Sequence, residues 1–333
     1  MALVGVHKLL LYTVALAACE SGVPAAQPVT SAPSEIDGTK YFLPLPDKVE
    51  GLDPAKVQLG HLLFEEPLLS ANGTRKCTSC HPLREAGSDG KRYSTGVKGA
   101  LPWNTPTIYN LAFSFRFNWR GQFATLEDEL DAPMTKAAMG NENWGDVVAR
   151  LQKAGWDERF RKAGFEGVSE ASIKKALATY ERSLITPGSR FDHYLKGDEK
   201  ALNAEEKHGL DLFIKLGCVS CHQGQNIGGN MYQRIGVLLD YLSTRTDIKK
   251  PEKDREPEDP DHLRLRVPSL RNIACTAPYL HVGTRQTLEE AIGIMGRHQI
   301  GRKLENDEVN HLKAFLLTLT GNYPDGTPVC KED

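Results

Sequence analysis

Two five-residue runs share one pattern: Cys77-Thr78-Ser79-Cys80-His81 and Cys218-Val219-Ser220-Cys221-His222. Two thiols three positions apart, followed at once by an imidazole, are what covalent attachment of a c-type haem requires. The thiols add to the two vinyl groups of one porphyrin, and the histidine then lies under the iron as its proximal ligand. A single run of this kind also fits a zinc knuckle or a thiol-redox pair. Two runs behind an export-type leader point instead to two covalently bound haem c groups, and so to redox chemistry.

The remaining axial position of each iron decides its work. Methionine or histidine there closes the site for electron transfer, and methionine raises the potential; an open position admits peroxide or oxygen. Met134, Met139, Met231 and Met295 are the methionine candidates. Met295, in Ile294-Met295-Gly296-Arg297 downstream of the second run, leads them, although spacing alone reads a methionine on an amphipathic helix as core. His61, His193, His208, His262, His281, His298 and His311 are further candidates, and no neighbouring residue singles one out.

These residues need a scaffold. Gly60-His61-Leu62-Leu63-Phe64 precedes the first run and Gly209-Leu210-Asp211-Leu212-Phe213 the second, which reads as a weak internal repeat of two tandem cytochrome c-like haem domains. Pro67 to Lys76 is a longer insert before the first cysteine. Asp53-Pro54 opens a helix. Thr125 with Asp128 caps a short acidic helix reaching Asp131. Asn143–Ala154 and Ser169–Leu184 carry apolar residues at helical spacing. Asn203 with Glu206 and Thr287 with Glu290 cap two more helices, and Glu305–Leu319 forms the last, stopped by Gly321. Strand signals are sparse, so the expected fold is mainly α.

Four segments are expected: a leader at 1–19, a Pro-, Ala- and Ser-rich tether at 20–38, a first haem domain at 39–185 and a second at 186–333. Leu16-Ala17-Ala18-Cys19 fits a bacterial lipobox, with lipid on Cys19, or an ordinary signal peptide that happens to end near a cysteine. Either leads out of the cytoplasm. Glu20 after the cysteine favours an outer-membrane lipoprotein facing the periplasm. Arg245 to Asp261 is dense in charge and proline and reads as an exposed loop. Of seven cysteines, four serve haem and Cys19 the lipid; Cys275 and Cys330 are left as a disulfide or as two buried thiols. A net charge of -2 gives no basic field for nucleic acid.

From about Tyr41 to Gly321 the chain resembles the bacterial dihaem cytochrome c peroxidase and MauG-like family. The matching stretches are Leu59-Gly60-His61-Leu62-Leu63-Phe64, Asn104-Thr105-Pro106-Thr107-Ile108-Tyr109-Asn110, Phe191-Asp192-His193-Tyr194-Leu195-Lys196-Gly197-Asp198, Val267-Pro268-Ser269-Leu270-Arg271-Asn272 with Thr276-Ala277-Pro278-Tyr279-Leu280-His281, and Ala314-Phe315-Leu316-Leu317-Thr318-Leu319-Thr320-Gly321. The resemblance implies a peroxidatic haem in the first domain and an electron-accepting haem in the second. It implies that His222 and Met295 ligate the second iron. Trp119, in Phe117-Asn118-Trp119-Arg120-Gly121, matches the tryptophan between the haems. Asn104, Thr276 and Pro278 match a calcium site of one amide oxygen and two backbone carbonyls. A homodimer is also implied.

The departures are specific. Many members carry a histidine sixteen residues after the first haem histidine, where it caps the first iron; here Val97 stands there, so the first iron is expected to be open without reductive activation. MauG-like members lack that histidine too. A distal glutamate before a Met-Gly pair is replaced in Ala137-Ala138-Met139-Gly140. Glu129, at the place of a distal glutamine, is the alternative acid–base group; its other reading is a solvated carboxylate. Trp103 replaces an arginine and Val282 an aspartate. The leading expectation is a dihaem peroxidase that reduces hydrogen peroxide with electrons from a small cytochrome c or cupredoxin. Its rivals are a MauG-like enzyme oxidising residues of a partner protein and a non-catalytic dihaem electron carrier.

Overall fold

The computed structural model describes residues 40–134, 137–241 and 264–330. Cys19, the tether and the Arg245–Asp261 loop lie outside the described residues. Within them the chain is helix-rich with little sheet, as the sequence predicts.

The helices are α1 (Pro54–Phe64), α2 (Leu126–Glu129), α3 (Asp131–Met134), α4 (Trp144–Lys153), α5 (Asp157–Lys162), α6 (Glu170–Ser183), α7 (Arg190–Leu195), α8 (Ala204–Lys215), α9 (Leu288–Met295) and α10 (Asn306–Leu317). Their starts follow local chemistry. Asp53, Thr125, Asn143, Ser169, Asn203 and Thr287 each accept a backbone N–H of the first turn, satisfying a donor the helix cannot. The acidic helix expected to run on to Asp131 is broken into α2 and α3. Pro133 has no N–H to give the carbonyl of Glu129, so the ladder cannot continue across Leu130. Among the described residues the strands form two short antiparallel ladders. β1 (Thr95–Gly96) pairs with β2 (Gly99–Ala100), and β3 (Tyr232–Arg234) with β4 (Arg264–Arg266), Gln233 opposite Leu265.

Two buried cores form around two helix crossings. In the first, Leu59, Leu63 and Phe64 of α1 meet Ala176, Leu177 and Tyr180 of α6. In the second, Leu210 and Phe213 of α8 meet Leu312, Phe315 and Leu316 of α10. Glycine sits at both crossings. A Cβ on Gly60 would collide with the Ala176 carbonyl, and one on Gly209 with that of His311. The cores are not strictly successive in sequence. Phe42 packs into the second, while Tyr323 and Val329 pack into the first.

The weak repeat read from Gly60 and Gly209 extends much further in space. Asn110 and Asn272 both adopt left-handed backbone, with φ 64° and 58°. Asn110 N–H donates to Leu184 O (2.8 Å) just past α6, and Asn272 N–H to Leu319 O (3.1 Å) just past α10. Each side chain then accepts the backbone N–H two residues on, from Thr186 and Gly321, both at 2.9 Å. The two side-chain amides converge on the Thr186 hydroxyl, each at 2.9 Å.

Candidate functional site

Both Cys-x-x-Cys-His runs fold as a single 3-10 turn, Cys77–Ser79 and Cys218–Ser220, at the end of the insert and of α8 respectively. Cys275 and Cys330 are joined as a disulfide, which leaves Cys77, Cys80, Cys218 and Cys221 for haem attachment.

The two histidines are held alike. His81 Nδ1 lies 3.0 Å from Gly87 O, and His222 Nδ1 lies 3.3 Å from Ile227 O. A carbonyl partner fixes the proton on Nδ1 and leaves the Nε2 lone pair for a metal. Burial lowers both, His222 to about 4. Their second backbone neighbours are also equivalent, Pro106 for His81 and Pro268 for His222.

At the second run a cavity of about 600 Å³ opens, lined by Cys218, Cys221, His222 and, from the end of α9, Met295. Most of its wall is apolar. Gln299 holds one side in place. Its Oε1 accepts from Gly236 N–H (3.2 Å) and Val237 N–H (3.0 Å), and its Nε2 donates to Arg234 O at 2.9 Å. Arg266 also lines the cavity and is 5% exposed. Burial lowers its guanidinium to about 10, and its Nε donates to the Asn118 carbonyl at 3.3 Å. A buried cation bonded to a neutral carbonyl favours an anionic partner. A porphyrin carboxylate meets that need, so charge, size and the Cys-His-Met donor set all fit a haem.

Between the sites runs Asn104–Thr107. Trp119, 9% exposed, donates its indole N–H to Asn104 O at 2.8 Å and lines the His222 cavity. On the other side Thr105 O accepts from Ser88 Oγ (2.8 Å), and its hydroxyl meets Ser94 Oγ at 2.5 Å. Ser94 in turn contacts Cys80. One extended segment thus touches both haem-attachment sites. Asn104, Thr276 and Pro278 line the same cavity, and Asn104 Nδ2 donates to Lys91 O (2.9 Å), directing its Oδ1 elsewhere.

Val97 lies in a fixed loop. Its N–H donates to Ala138 O (2.9 Å) and that of Lys98 to Ala137 O (3.0 Å). Gly140 is close enough that a Cβ there would lie 2.7 Å from Val97 Cγ1. The Val97 turn is therefore bolted to the Ala137–Gly140 segment.

Glu129, at the end of α2, is half-buried, and burial, reinforced by Asp131, pushes it up to about 7. Such a carboxyl exchanges protons near neutrality. The structure adds a residue that sequence reading missed. Glu181 of α6 is 5% exposed, and burial, with Glu129 beside it, raises it well above the usual range. Its carboxylate also lies within electrostatic reach of Cys77. The available signal was its place on the buried stripe Ile173, Leu177, Glu181, where a carboxylate is costly. Arg266 was missed for the same reason; one cation in a short strand carries no spacing signal.

Comparison with known proteins agrees with this geometry. A family profile described as di-haem cytochrome c peroxidase matches residues 54–200. The cytochrome c peroxidase Ccp of Escherichia coli is 39% identical over 84% of this chain, which spans 61% of that relative's length. The cytochrome c551 peroxidase of Nitrosomonas europaea is 39% identical over 80% of each chain. Among solved structures, a MauG-like protein associated with microbial copper homeostasis superposes with a TM-score of 0.69 at 29% identity, over 91% of this chain and 98% of that one. With its paired attachment runs and its identity to these peroxidases, the chain belongs to the dihaem cytochrome c peroxidase family.

Proposed function

We propose that the chain reduces hydrogen peroxide at a haem held by Cys77, Cys80 and His81, using electrons received through a second haem held by Cys218, Cys221, His222 and Met295. The observation that supports the reading is an inequality: Met295 shares a cavity with His222, whereas a valine, Val97, stands sixteen residues after His81, where the family resemblance expects a capping histidine. A haem at each site would supply an iron that exchanges electrons, with the Met295 thioether available to hold the second and no side-chain ligand besides His81 assigned to the first.

The chain's own residues supply the rest. Glu129 takes a proton from one peroxide oxygen and returns it to the oxygen that leaves as water. Trp119, bonded to Asn104 and lining the second cavity, shortens the path between sites. Asn104, Thr276 and Pro278 offer neutral oxygens to a calcium ion. The electron donor is a small cytochrome c or cupredoxin. The chain is exported to the periplasm and held at the outer membrane by lipid on Cys19, and it works as a homodimer.

The test is steady-state oxidation of reduced cytochrome c by the holoprotein. Rapid peroxide-dependent turnover, with no prior reduction, supports the reading. The MauG-like alternative is favoured by Val97 and by the copper-associated relative. It predicts negligible turnover with small donors and a slow return to the resting spectrum after peroxide.

A further inference from the structure

We propose that Tyr323 is a positioning residue for the first haem. It lies on a C-terminal strap, residues 322–330, that fixes the carbonyl partner of His81, and the Cys275–Cys330 disulfide pins the end of that strap. This deepens the proposed peroxidase function and rests on His81 being the proximal ligand of the first iron.

The link starts at the histidine. His81 Nδ1 lies 3.0 Å from Gly87 O. Gly87 and the residue before it, Ala86, are both left-handed, with φ 68° and 55°. Glycine takes up that backbone freely, whereas the Cβ of alanine opposes it. A residue kept there needs its surroundings to hold it. Ala86 is held on both sides. Its N–H donates to the Tyr323 hydroxyl at 3.2 Å, and its carbonyl accepts from the Thr107 hydroxyl at 2.6 Å. Tyr323 reaches this point from 237 positions away.

The strap is shaped to present that hydroxyl. After α10 the chain doubles back: Val329 N–H donates to Gly321 O (3.0 Å), and Tyr323 N–H to Thr327 O (2.8 Å). Tyr323 is buried, and its hydroxyl donates to Val329 O at 3.3 Å. Its ring packs on Tyr109, with centroids 5.6 Å apart, and the Tyr109 hydroxyl donates to Leu83 O (2.8 Å) in the same loop. Outside, Arg84 lies over the Tyr323 ring and donates to Asp325 (2.6 Å) and Thr327 (3.1 Å). Those outer contacts are exposed and screened, so they hold the strap weakly. Chain ends fray unless tied down. Cys330, directly after Val329, is tied to Cys275, which packs on the first core.

The second site meets the same need within one loop. Ile227, whose carbonyl meets His222, is left-handed at φ 49°, and its N–H donates to Gly224 O at 3.3 Å. The first site takes its support from the far end of the chain. A carbonyl on the Nδ1 proton makes an imidazole a stronger donor to a metal, and so acts on the potential and reactivity of a haem iron. Without the Tyr323 hydroxyl the Ala86 N–H loses its partner, the left-handed pair relaxes, and Gly87 O turns away from His81.

The test compares the wild-type holoprotein with Tyr323→Phe, which keeps the ring, and with Cys275→Ser combined with Cys330→Ser. Haem absorption at both sites serves as the loading control. Resonance Raman of the reduced protein reads the iron–histidine stretch, and redox titration reads the potential of each haem. In both variants the first haem's stretch should fall in frequency and its potential should rise, while the second haem's potential stays in place. A first-haem stretch and potential that do not move in Tyr323→Phe overturn the positioning role. Equal shifts at both haems overturn it too, because general loosening would act on both. A shift in Tyr323→Phe without one in the double serine variant overturns the part given to the disulfide. Neither readout uses peroxide, so a wild type that fails to turn peroxide over sinks the peroxidase reading alone.

Discussion

A carboxyl that titrates near neutrality is useful only if it can lose its proton where it works. Glu129 is pushed up to about 7, so the fraction able to accept a proton rises as pH passes through that value. Glu129→Gln should therefore lower peroxide turnover by roughly 10²–10⁴-fold and abolish the limb near pH 7, as measured by stopped-flow mixing with peroxide. At the first site Val97 is the second decisive residue. Val97→His places an imidazole on a loop tied to Ala137 and Ala138, and should slow peroxide binding in the oxidised protein. Peroxide binding as fast as in the wild type would show that Val97 does not face the iron. At this scale the sequence was most legible where chemistry demands a spacing, as in the two Cys-x-x-Cys-His runs. Glu181 escaped because nothing local marks a carboxylate that another helix will bury.

Elements are positioned by small residues and caps. Gly60 and Gly209 stand where α1 crosses α6 and α8 crosses α10, with a carbonyl filling the space a methyl would take. Gly209→Ala should cost about 1–3 kcal/mol in chemical denaturation, since the backbone at the crossing must yield. No loss of stability would mean that the helices separate freely there. Helix starts were legible because capping is local: Asn143, Ser169, Asn203 and Thr287 cap the helices they announce. The break between α2 and α3 was written in Pro133 but masked by the acidic run around it. The repeat was visible as Gly-x-x-x-Phe alone. Its deeper form, with left-handed Asn110 and Asn272 meeting on Thr186, depends on contacts no short stretch contains.

Across the whole molecule, distant stretches are tied by a few buried polar groups. Arg271 and Asp192 form an ion pair at 2.7 Å with side chains 1% and 0% exposed. Asp192 also accepts Leu45 N–H (3.0 Å), and Arg271 donates to Gln225 O (2.8 Å) and Leu43 O (3.1 Å). Two family-like stretches thus meet at one clamp, a role their separate sequences do not disclose. Arg271→Ala leaves the Asp192 carboxylate buried and unpaired, and should cost about 3–5 kcal/mol in thermal or denaturant unfolding. The Cys275–Cys330 disulfide ties the C-terminal stretch to the first core, an outcome cysteine counting left open. The central claim is also molecular: two attachment sites built from the same parts do unequal work. Electron paramagnetic resonance of the fully oxidised holoprotein tests it most directly. The account predicts one high-spin ferric signal from the His81 site beside one low-spin signal from the His222 site, the latter lost in Met295→Ala. Two low-spin signals, or a low-spin signal that survives that substitution, would contradict it.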